Sequence, residues 1–333
     1  LFLARDRVGI KPLYYAWDGG RFRFGSEIKA LLEDPSLRAT LDHAALDDYL
    51  SYLYVPAPRT IFREIRKLRP GHTLTVSRAG VVEEEYWDLQ FRPRRDASVD
   101  DWAAGLRQTL GESVAQHLIS DVPLGAFLSG GVDSSAVVGL MAGLASGPVT
   151  TASIGFEEDA YNELPYARAV ASHFRTRGYE KTIHARAAEI LDRLSWHYDE
   201  PFADSSMIPT YYVCGMAREH VTVCLSGDGG DENFAGYRRY RYDVLENRLR
   251  RAIPSWARNP VFGTLGHVYP KVDWLPRCLR AKTLFSNLAR SPERGYWHTM
   301  TWFTPQMKRA LYRDPVRSAL EGYDSFSVME EHF

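Results

Sequence analysis

The feature that most constrains the fold is a change of rhythm after residue 99. From there, short apolar runs alternate with amphipathic segments that are long enough to form helices. This alternation is typical of βαβ units and predicts an α/β fold, a parallel sheet with helices on both faces. Ligands of such sheets bind at the carboxyl ends of the strands. The predicted strands are residues 123–128, 149–154, 182–184 and 221–225.

Residues 1–90 follow a different pattern, in which short apolar runs are separated by turns. This spacing predicts antiparallel strands joined by hairpins, with one helix after Glu27 and another at residues 43–54. Residues 91–98 are polar, contain proline and lack periodicity, which is typical of a linker. We therefore predict a β-rich domain at 1–90, a linker at 91–98 and a second domain at 99–333, mostly helical after residue 238.

Composition limits the classes of partner. The 333 residues include 41 Lys and Arg against 42 Asp and Glu, so the net charge of -1 favours neither nucleic acid nor an anionic membrane. No apolar run approaches the ~18 residues of a membrane helix. Cys214, Cys224 and Cys278 are too few for a disulfide framework and form no CxxC pair. We expect a cytoplasmic protein with small-molecule partners, and a second copy of the chain as the candidate protein partner.

A glycine- and serine-rich loop, Leu-Ser-Gly-Gly-Val-Asp-Ser-Ser at residues 128–135, follows the first predicted parallel strand and opens a helix. Glycine turns, hydroxyl groups and a helix N-terminus together favour a phosphate. The loop lacks the Lys of the common P-loop and the third Gly of dinucleotide sites. Asp133 next to a polyphosphate would require a bridging divalent cation such as Mg2+. The alternative is an ordinary helix cap, which needs one hydroxyl, whereas this loop has three.

A second loop, Ser-Gly-Asp-Gly-Gly-Asp-Glu at residues 226–232, follows the predicted strand at 221–225. It should therefore lie on the same rim of the sheet as the first loop, where its acids offer a second metal ligand. Taken alone, it would also suit an acidic turn that caps a helix.

Together the two loops resemble the synthetase domain of the glutamine-dependent asparagine synthetases, whose pyrophosphate loop reads Ser-Gly-Gly-x-Asp-Ser-Ser. The resemblance extends to residues 199–211 and to Gly236-Tyr237. Residues 4–15 and 25–31 look like the last part of that family's N-terminal nucleophile glutaminase domain. The resemblance implies an adenine nucleotide α-hydrolase-like PP-loop fold at 99–333, preceded by the β-rich tail of a glutaminase.

The resemblance also implies an activity and roles for individual residues. A carboxylate, L-aspartate in this family, would attack the α-phosphate of ATP, pyrophosphate would leave, and ammonia from glutamine would displace AMP to give L-asparagine. Asp133 and Asp231 would hold Mg2+, and Asp228 would act in forming the adenylate, where some members have Glu. We further expect an acceptor pocket at Asp204, Ser205 and Ser206. The residues implied to bind ATP or pyrophosphate are Phe127, Ser129, Gly130, Gly131, Asp133, Ser134, Ser135, Ile154, Ser226 and Gly227.

Two departures from the family pattern stand out. The sequence does not begin with the nucleophilic Cys of the glutaminase, and no Ser-Met-Ala motif with its following Lys occurs before Phe333. Because Leu1 and Phe333 both end apolar or amphipathic stretches, we expect both termini to be truncations. We therefore expect these residues alone to be unable to hydrolyse glutamine and to be impaired in adenylation.

Several alternatives remain at the level of sequence. The same chemistry could act on another carboxylate in surface polysaccharide or secondary metabolism. A tRNA-thiolating PP-loop enzyme would need paired cysteines and a basic surface. A non-catalytic interaction protein would have no reason to keep Asp133, Asp228 and Asp231 acidic. The Arg-rich stretch at 238–251, which includes Arg250, is expected to be a solvated helix face rather than a nucleic-acid stripe, because acids lie among its arginines.

Overall fold

The structure is a computed structural model that describes residues 1–93, 96–157, 162–184, 187–270, 274, 276 and 281–333. Residues 94 and 95 of the predicted linker and Cys278 lie outside this part. The chain divides into two compact units. Unit 1 comprises Leu1–Gln90, Ser195–Asp204 and Arg238–Phe333, and unit 2 comprises Phe91–Leu194 and Ser205–Tyr237.

This grouping differs from a linear division of the sequence. The predicted second domain, 99–333, contributes its helical C-terminal part and a ten-residue segment to unit 1. The physical reason is that these segments pair with the N-terminal part through buried polar contacts. Lys308, for example, forms an ion pair with Asp47.

The N-terminal part of unit 1 contains two antiparallel sheets, as the hairpin pattern predicts. One sheet has the order β1-β5-β6 and the other the order β3-β2-β4. The two-residue strand β4 has no periodicity of its own and was not predicted. The elements are β1 (Phe2–Ala4), β2 (Tyr14–Trp17), β3 (Phe22–Gly25), α1 (Ile28–Leu32), α2 (His43–Tyr52), β4 (Arg66–Lys67), β5 (His72–Ser77) and β6 (Gly80–Glu85).

Helix α2 has clear start and stop signals. The Asp42 carboxylate accepts hydrogen bonds from the N–H groups of Ala44 (2.9 Å) and Ala45 (3.3 Å), which satisfies two of the donors at the start of the helix. Leu53 ends the helix in the left-handed conformation, with φ of 66°. The predicted end at residue 54 is therefore two residues late.

The central feature of unit 2 is a four-stranded parallel sheet with the order β10-β7-β8-β9. This confirms the predicted parallel α/β fold. Strand β9 is longer than predicted. Most of its side chains are exposed, so its first residues lack the apolar run by which a strand is predicted. The elements are α3 (Val99–His117), β7 (Leu124–Phe127), α4 (Val132–Leu144), β8 (Thr150–Phe156), α5 (Leu164–Phe174), β9 (Arg177–Ile183), α6 (Ala187–Tyr198), α7 (Met207–Arg218), β10 (Val223–Leu225) and α8 (Gly230–Asn233).

Both faces of this sheet are covered by helices, as predicted. On one face, Ala126 of β7 packs in a buried cluster with Val138 of α4 and Ala167 of α5. On the other face, Ala152 of β8 packs with Met216 of α7. Alternate residues of a strand point to opposite faces, so the central strands β7 and β8 are buried on both sides and their polar loops are left at the strand ends.

The C-terminal part of unit 1 is helical, as predicted. Its α9 corrects one prediction, because Arg250 is only 7% exposed and lies within hydrogen-bond distance of Glu246 (3.2 Å) and the Asn287 carbonyl oxygen (3.0 Å). The solvated-face prediction is therefore wrong for Arg250, since a buried acid neutralises it. The helices are α9 (Arg238–Ala252), α10 (Ser255–Val268), α11 (Lys282–Leu288), α12 (Pro292–Met300), α13 (Pro305–Leu311), α14 (Asp314–Ala319) and α15 (Ser327–Glu330).

None of the helices in the described ranges combines the length and the apolar character needed to cross a bilayer.

Candidate functional site

The sheet of unit 2 brings the two glycine-rich loops to the same edge. Strand β7 ends at Phe127 and leads through the first loop into α4, and β10 ends at Leu225 and leads through the second loop into α8. These two strands are parallel neighbours, with Leu225 paired to Ala126. Their carboxyl ends therefore lie side by side, and so do the loops that follow them.

The first loop is shaped by Gly130, whose φ is +86°. A Cβ atom at this position would lie 2.5 Å from the backbone nitrogen of Ala167 and 2.6 Å from the Cβ of Tyr166, in the first turn of α5. Only glycine both adopts this left-handed backbone readily and fits in the space available. The close approach of α5 to the loop was not predicted, although Pro165 at the start of this helix marks where it begins.

Serine hydroxyls close the first loop on itself. The Oγ of Ser129 accepts the N–H of Gly131 at 3.2 Å and lies 3.0 Å from the Oγ of Ser134. Behind the loop, the buried Ser153 hydroxyl donates to the Leu128 carbonyl at 2.6 Å. Ser153 was not predicted, because nothing in its strand marks a hydrogen bond to a neighbouring strand's end.

The N-terminus of α4 is open in the sense that no side chain caps it. Its N-cap is Gly131, which provides no side-chain cap, and the first N–H groups of a helix have no partner within the helix. The Ser135 Oγ in the first turn is buried and makes no hydrogen bond with the residues that the structure describes. These features disfavour the ordinary-cap alternative and are typical of an anion site.

The second loop packs directly against the start of α4. A Cβ at Gly227 would lie 2.6 Å from the Ser134 nitrogen, and one at Gly230 would lie 2.4 Å from the Cγ of Asp133. Both glycines therefore leave room for the first turn of α4 and for the Asp133 carboxylate. Asp133 thus contacts the residue that precedes Asp231 in the chain.

The two aspartates of the second loop occupy different environments. The Asp231 carboxylate lies over Gly236, where a Cβ would come within 1.8 Å of its Oδ1. Asp228 is exposed, and its Oδ2 accepts a hydrogen bond from the Ser226 hydroxyl at 2.9 Å. Ser226 therefore orients Asp228 at the open side of the loop.

Phe127 and Ile154 are the residues that the resemblance implies would flank the adenosine. Both are half-buried, and both pack against the same hydrophobic cluster, which contains Ala152 and Met216. They form an apolar surface on the α7 side of the sheet, next to the ends of β7 and β8. Their contact with a nucleotide remains a prediction.

The three predicted acceptor residues are consecutive in the chain and fall at a boundary of the division into units. Asp204 belongs to unit 1, whereas Ser205 and Ser206 belong to unit 2, and all three are exposed. Ser206 precedes α7 without capping it through its side chain. Their role as an acceptor pocket also remains a prediction.

The donor set suits magnesium only in part. Among the described residues, no group of three or more His, Cys, Asp or Glu side chains could hold a metal ion. Asp133, in the first turn of α4, offers hard carboxylate oxygens next to Gly230, and Asp231 is the residue that follows Gly230 in the chain. This arrangement fits an ion that is held by one or two carboxylates and completed by phosphate oxygens and water, which is how proteins usually bind Mg2+.

Comparison with known proteins places this site in a family. The family model described as asparagine synthase matches residues 105–323, and the glutamine amidotransferase domain model matches residues 1–87. The first match covers most of unit 2, including both glycine-rich loops.

Curated relatives named as asparagine synthetases also match most of the chain. A putative asparagine synthetase (glutamine-hydrolyzing) 2 of Methanocaldococcus jannaschii is 36% identical over 309 residues, which cover 89% of this chain and 58% of the relative. An asparagine synthetase (glutamine-hydrolyzing) 1 of Bacillus subtilis is 32% identical over 98% of this chain and 52% of the relative. Amidase chyE of Penicillium rubens is 28% identical over 97% of this chain and 52% of the relative.

The chain spans about half the length of these relatives. The two family models lie in the same order as the β-rich part and the parallel sheet, and together they cover most of the sequence. The chain belongs to the glutamine-hydrolysing asparagine synthetase family.

Proposed function

We propose that this chain provides the ATP-binding and adenylating site of an enzyme that amidates L-aspartate to L-asparagine. The observation that carries the proposal is the contact between the two loops. The open N-terminus of α4 and the carboxylate of Asp133 lie against Gly227 and Gly230, next to Asp231. The family membership supports the reaction class.

The first loop is suited to hold a pyrophosphate group. The N–H groups at the start of α4 have no partner within the helix, and they lie at the end of the helix dipole that favours negative charge. The Ser135 hydroxyl, which has no partner in the part of the chain that the structure describes, and the exposed Ser129 add donors. No lysine lies within the loop. We therefore infer that the loop supports a reaction in which pyrophosphate leaves, and not the transfer of a terminal phosphoryl group.

Asp133 and Asp231 would hold Mg2+ at this site. Bound there, the ion would neutralise charge on the phosphate oxygens. The chain's own contribution would be these two carboxylates. Gly230 leaves space for that of Asp133, and Gly236 leaves space for that of Asp231.

The remaining roles follow the order of the two half-reactions. Phe127 and Ile154 would flank the adenosine, and the backbone of Ser226 and Gly227 would contact AMP. A carboxylate oxygen of aspartate attacks the α-phosphorus and the bond to pyrophosphate breaks. Ammonia then attacks the acyl carbon, and AMP leaves with the former carboxylate oxygen. Asp228, oriented by Ser226, is the acidic group that we place next to the forming adenylate.

We propose that the match of residues 1–87 to a glutamine amidotransferase domain marks glutamine as the nitrogen donor. In this reading, residues 1–90 belong to the glutaminase, 91–98 to the linker and 99–333 to the synthetase. We also place the protein in the cytoplasm, with which the free thiols of Cys214 and Cys224 agree.

The test uses the protein expressed from its natural gene. We expect aspartate-dependent release of pyrophosphate from MgATP, followed by asparagine formation with ammonia or glutamine. Absence of aspartate-dependent pyrophosphate would overturn the assignment of the acceptor. Asp133→Asn should lower the rate of pyrophosphate release by about 100-fold or more. Asp121→Asn is the matched control, because Asp121 is an exposed acid near the opposite end of β7.

A second candidate is the same chemistry on another carboxylate. The similarity to amidase chyE favours it, because that relative is not named as an asparagine synthetase. The same assay with a panel of carboxylic acids separates the two candidates. Pyrophosphate release that depends on a different acid, with none from aspartate, would select the second.

A further inference from the structure

One short segment, Ser195–Asp204, packs within unit 1 although the chain on both sides of it belongs to unit 2. It contains Asp199 and Glu200, which no role proposed above uses. It ends at Asp204, and the next two residues are Ser205 and Ser206, so the whole predicted acceptor stretch lies at its C-terminal end. The contacts that hold this segment therefore also affect the position of the predicted acceptor stretch.

The first anchor joins Asp199 to helix α1. Its Oδ1 lies 2.8 Å from the Nζ of Lys29, and its Oδ2 accepts the backbone N–H of the same residue at 3.2 Å. The Lys29 Nζ also pairs with Glu27 at 2.8 Å and lies 5.3 Å from the centre of the Trp196 ring. Asp199 itself has a φ of +63°, a left-handed conformation that is uncommon outside glycine. Contacts on both carboxylate oxygens hold the residue in this conformation.

The second anchor joins Glu200 to strand β4. Its Oε1 lies 2.5 Å from the Nζ of Lys67, and its Oε2 accepts the backbone N–H of Ile61 at 3.1 Å. The Lys67 Nζ also donates to the Val55 carbonyl oxygen. Both side chains of this ion pair are nearly buried, with 12% of Lys67 and 9% of Glu200 exposed. Removal of either partner of a buried pair is costly, because it leaves an uncompensated charge.

The third anchor is a backbone contact closer to the acceptor stretch. The N–H of Ala203 donates to the carbonyl oxygen of Leu53, the residue that ends α2, at 2.8 Å. Between the second and third anchors, the Phe202 ring stacks on that of Tyr198 with centroids 4.5 Å apart. The segment is therefore fixed at residues 199, 200 and 203, although it has no helix or strand after residue 198.

We propose that Lys29 and Lys67 are positioning residues for the carboxylate acceptor, because they hold the segment that leads into Asp204, Ser205 and Ser206. This inference rests on the proposed function and deepens it. Both lysines lie in the part of the chain that matches the glutamine amidotransferase model. Residues of the glutaminase-like part would thus set the affinity of the synthetase reaction for its carboxylate substrate, even when free ammonia is the nitrogen donor.

The experiment measures KM for aspartate and KM for ATP separately, in the protein expressed from its natural gene, with ammonia as the nitrogen donor. We expect Lys29→Met and Lys67→Met each to raise KM for aspartate at least about tenfold, while KM for ATP stays within about twofold of wild type. Lys29→Arg, which keeps the charge, should recover most of the aspartate affinity. The double variant Lys29→Asp with Asp199→Lys should recover part of it.

The matched control is Arg21→Met, which removes the cation of an exposed ion pair with Asp34 in the same unit. It should leave both KM values unchanged. An unchanged KM for aspartate in Lys29→Met and Lys67→Met would overturn the inference. An equal rise in both KM values would also overturn it, because a general loss of structure affects both substrates.

Hydrogen–deuterium exchange provides a readout that does not depend on the reaction. In both lysine variants, amides of residues 199–206 should exchange faster, and those of α4 should exchange as in wild type. Unchanged exchange at 199–206 would overturn the inference. Wild-type protein that releases no pyrophosphate with aspartate would instead overturn the proposed function, and the exchange result would still decide whether the two lysines hold the segment.

Discussion

Two polar regions of the molecule differ in whether their buried polar groups have hydrogen-bond or ion-pair partners. In unit 1, Lys308 is 4% exposed, and its Nζ pairs with Asp47 and donates to Ser51 (2.9 Å) and Ser325 (3.1 Å). The rim of unit 2 is the edge of its sheet where the loops at residues 128–135 and 226–232 lie. The cluster around Lys308 satisfies its polar groups internally, whereas at the rim α4 begins without a side-chain cap and the buried Ser135 hydroxyl lacks a partner among the described residues.

This difference separates structural from functional polar groups. A buried cation that is fully paired costs a great deal to disturb, because its partner is left charged in an apolar environment. Buried groups that lack a partner are rare in native proteins and mark places where a ligand or water completes the hydrogen bonds. The cluster around Lys308 should therefore affect stability, and the rim should affect binding.

The largest expected effect is on the stability of unit 1. Lys308→Met leaves Asp47 buried without its cation, and we expect the free energy of unfolding to fall by about 3–5 kcal/mol. Equilibrium urea unfolding followed by circular dichroism measures this change. Arg317→Met is the control, because its ion pair with Asp314 is exposed and should contribute less than about 1 kcal/mol. Similar losses in the two variants would remove the distinction between buried and exposed pairs.

The second effect is a pH dependence within the same cluster. Burial raises the pKa of Asp48 to about 6, although the Tyr323 hydroxyl, at 2.8 and 2.9 Å from its two oxygens, and Arg59 at 3.8 Å both lower it. Because this pKa lies above that of the unfolded chain, the contribution of Asp48 is largest at low pH. It is lost as the pH rises towards 6. The free energy of unfolding should therefore lose about 2 kcal/mol from this residue between pH 4.5 and 6.5.

Asp48→Asn removes the titration and keeps the shape of the side chain. The difference in unfolding free energy between this variant and wild type should grow in favour of the variant as the pH rises from 4.5 to 6.5. A difference that does not change over this range would contradict the raised pKa. Urea unfolding at four or five pH values is sufficient to measure it.

The rim of unit 2 could be predicted from the sequence because its chemistry is local. Alternating runs predict the parallel sheet, and the glycines and serines of residues 128–135 follow a strand and precede a helix, so their position at a carboxyl end is fixed by chain order. The placement of the second loop beside the first follows from the parallel pairing of β10 with β7.

The buried polar contacts of unit 1 could not be predicted in this way. Lys308 and Asp47 are 261 residues apart in the chain, and Lys29 and Asp199 are 170 apart. Each looks like an ordinary surface residue in its own helix or turn. Burial of these charges depends on which segments meet in three dimensions, and no local periodicity records it. The same reason explains the wrong prediction for Arg250, which donates a hydrogen bond to the Asn287 carbonyl oxygen of another helix.

The third effect is on ligand binding at the rim. Gly130→Ala places a Cβ 2.5 Å from the Ala167 nitrogen, on a backbone with φ of +86°. We expect the first loop to shift and the affinity for magnesium pyrophosphate, measured by calorimetry, to fall by about 30-fold, or ~2 kcal/mol. Gly105→Ala is the control, because no atom lies within 4 Å of the new Cβ on the exposed face of α3. Equal affinity in the two variants would contradict the tight packing of α5 on the loop.

The smallest effect tests the open rim directly. Because the Ser135 hydroxyl is buried and none of the described residues bonds to it, Ser135→Ala should leave the free energy of unfolding unchanged or raise it by up to about 1 kcal/mol. The same change should weaken magnesium pyrophosphate binding by about 3- to 10-fold, because one donor is lost. Ser153→Ala is the matched control, since that buried hydroxyl donates to Leu128. It should lower the free energy of unfolding by about 1–2 kcal/mol. A loss of stability in Ser135→Ala as large as that in Ser153→Ala would place Ser135 among the structural groups and not among those that await a ligand.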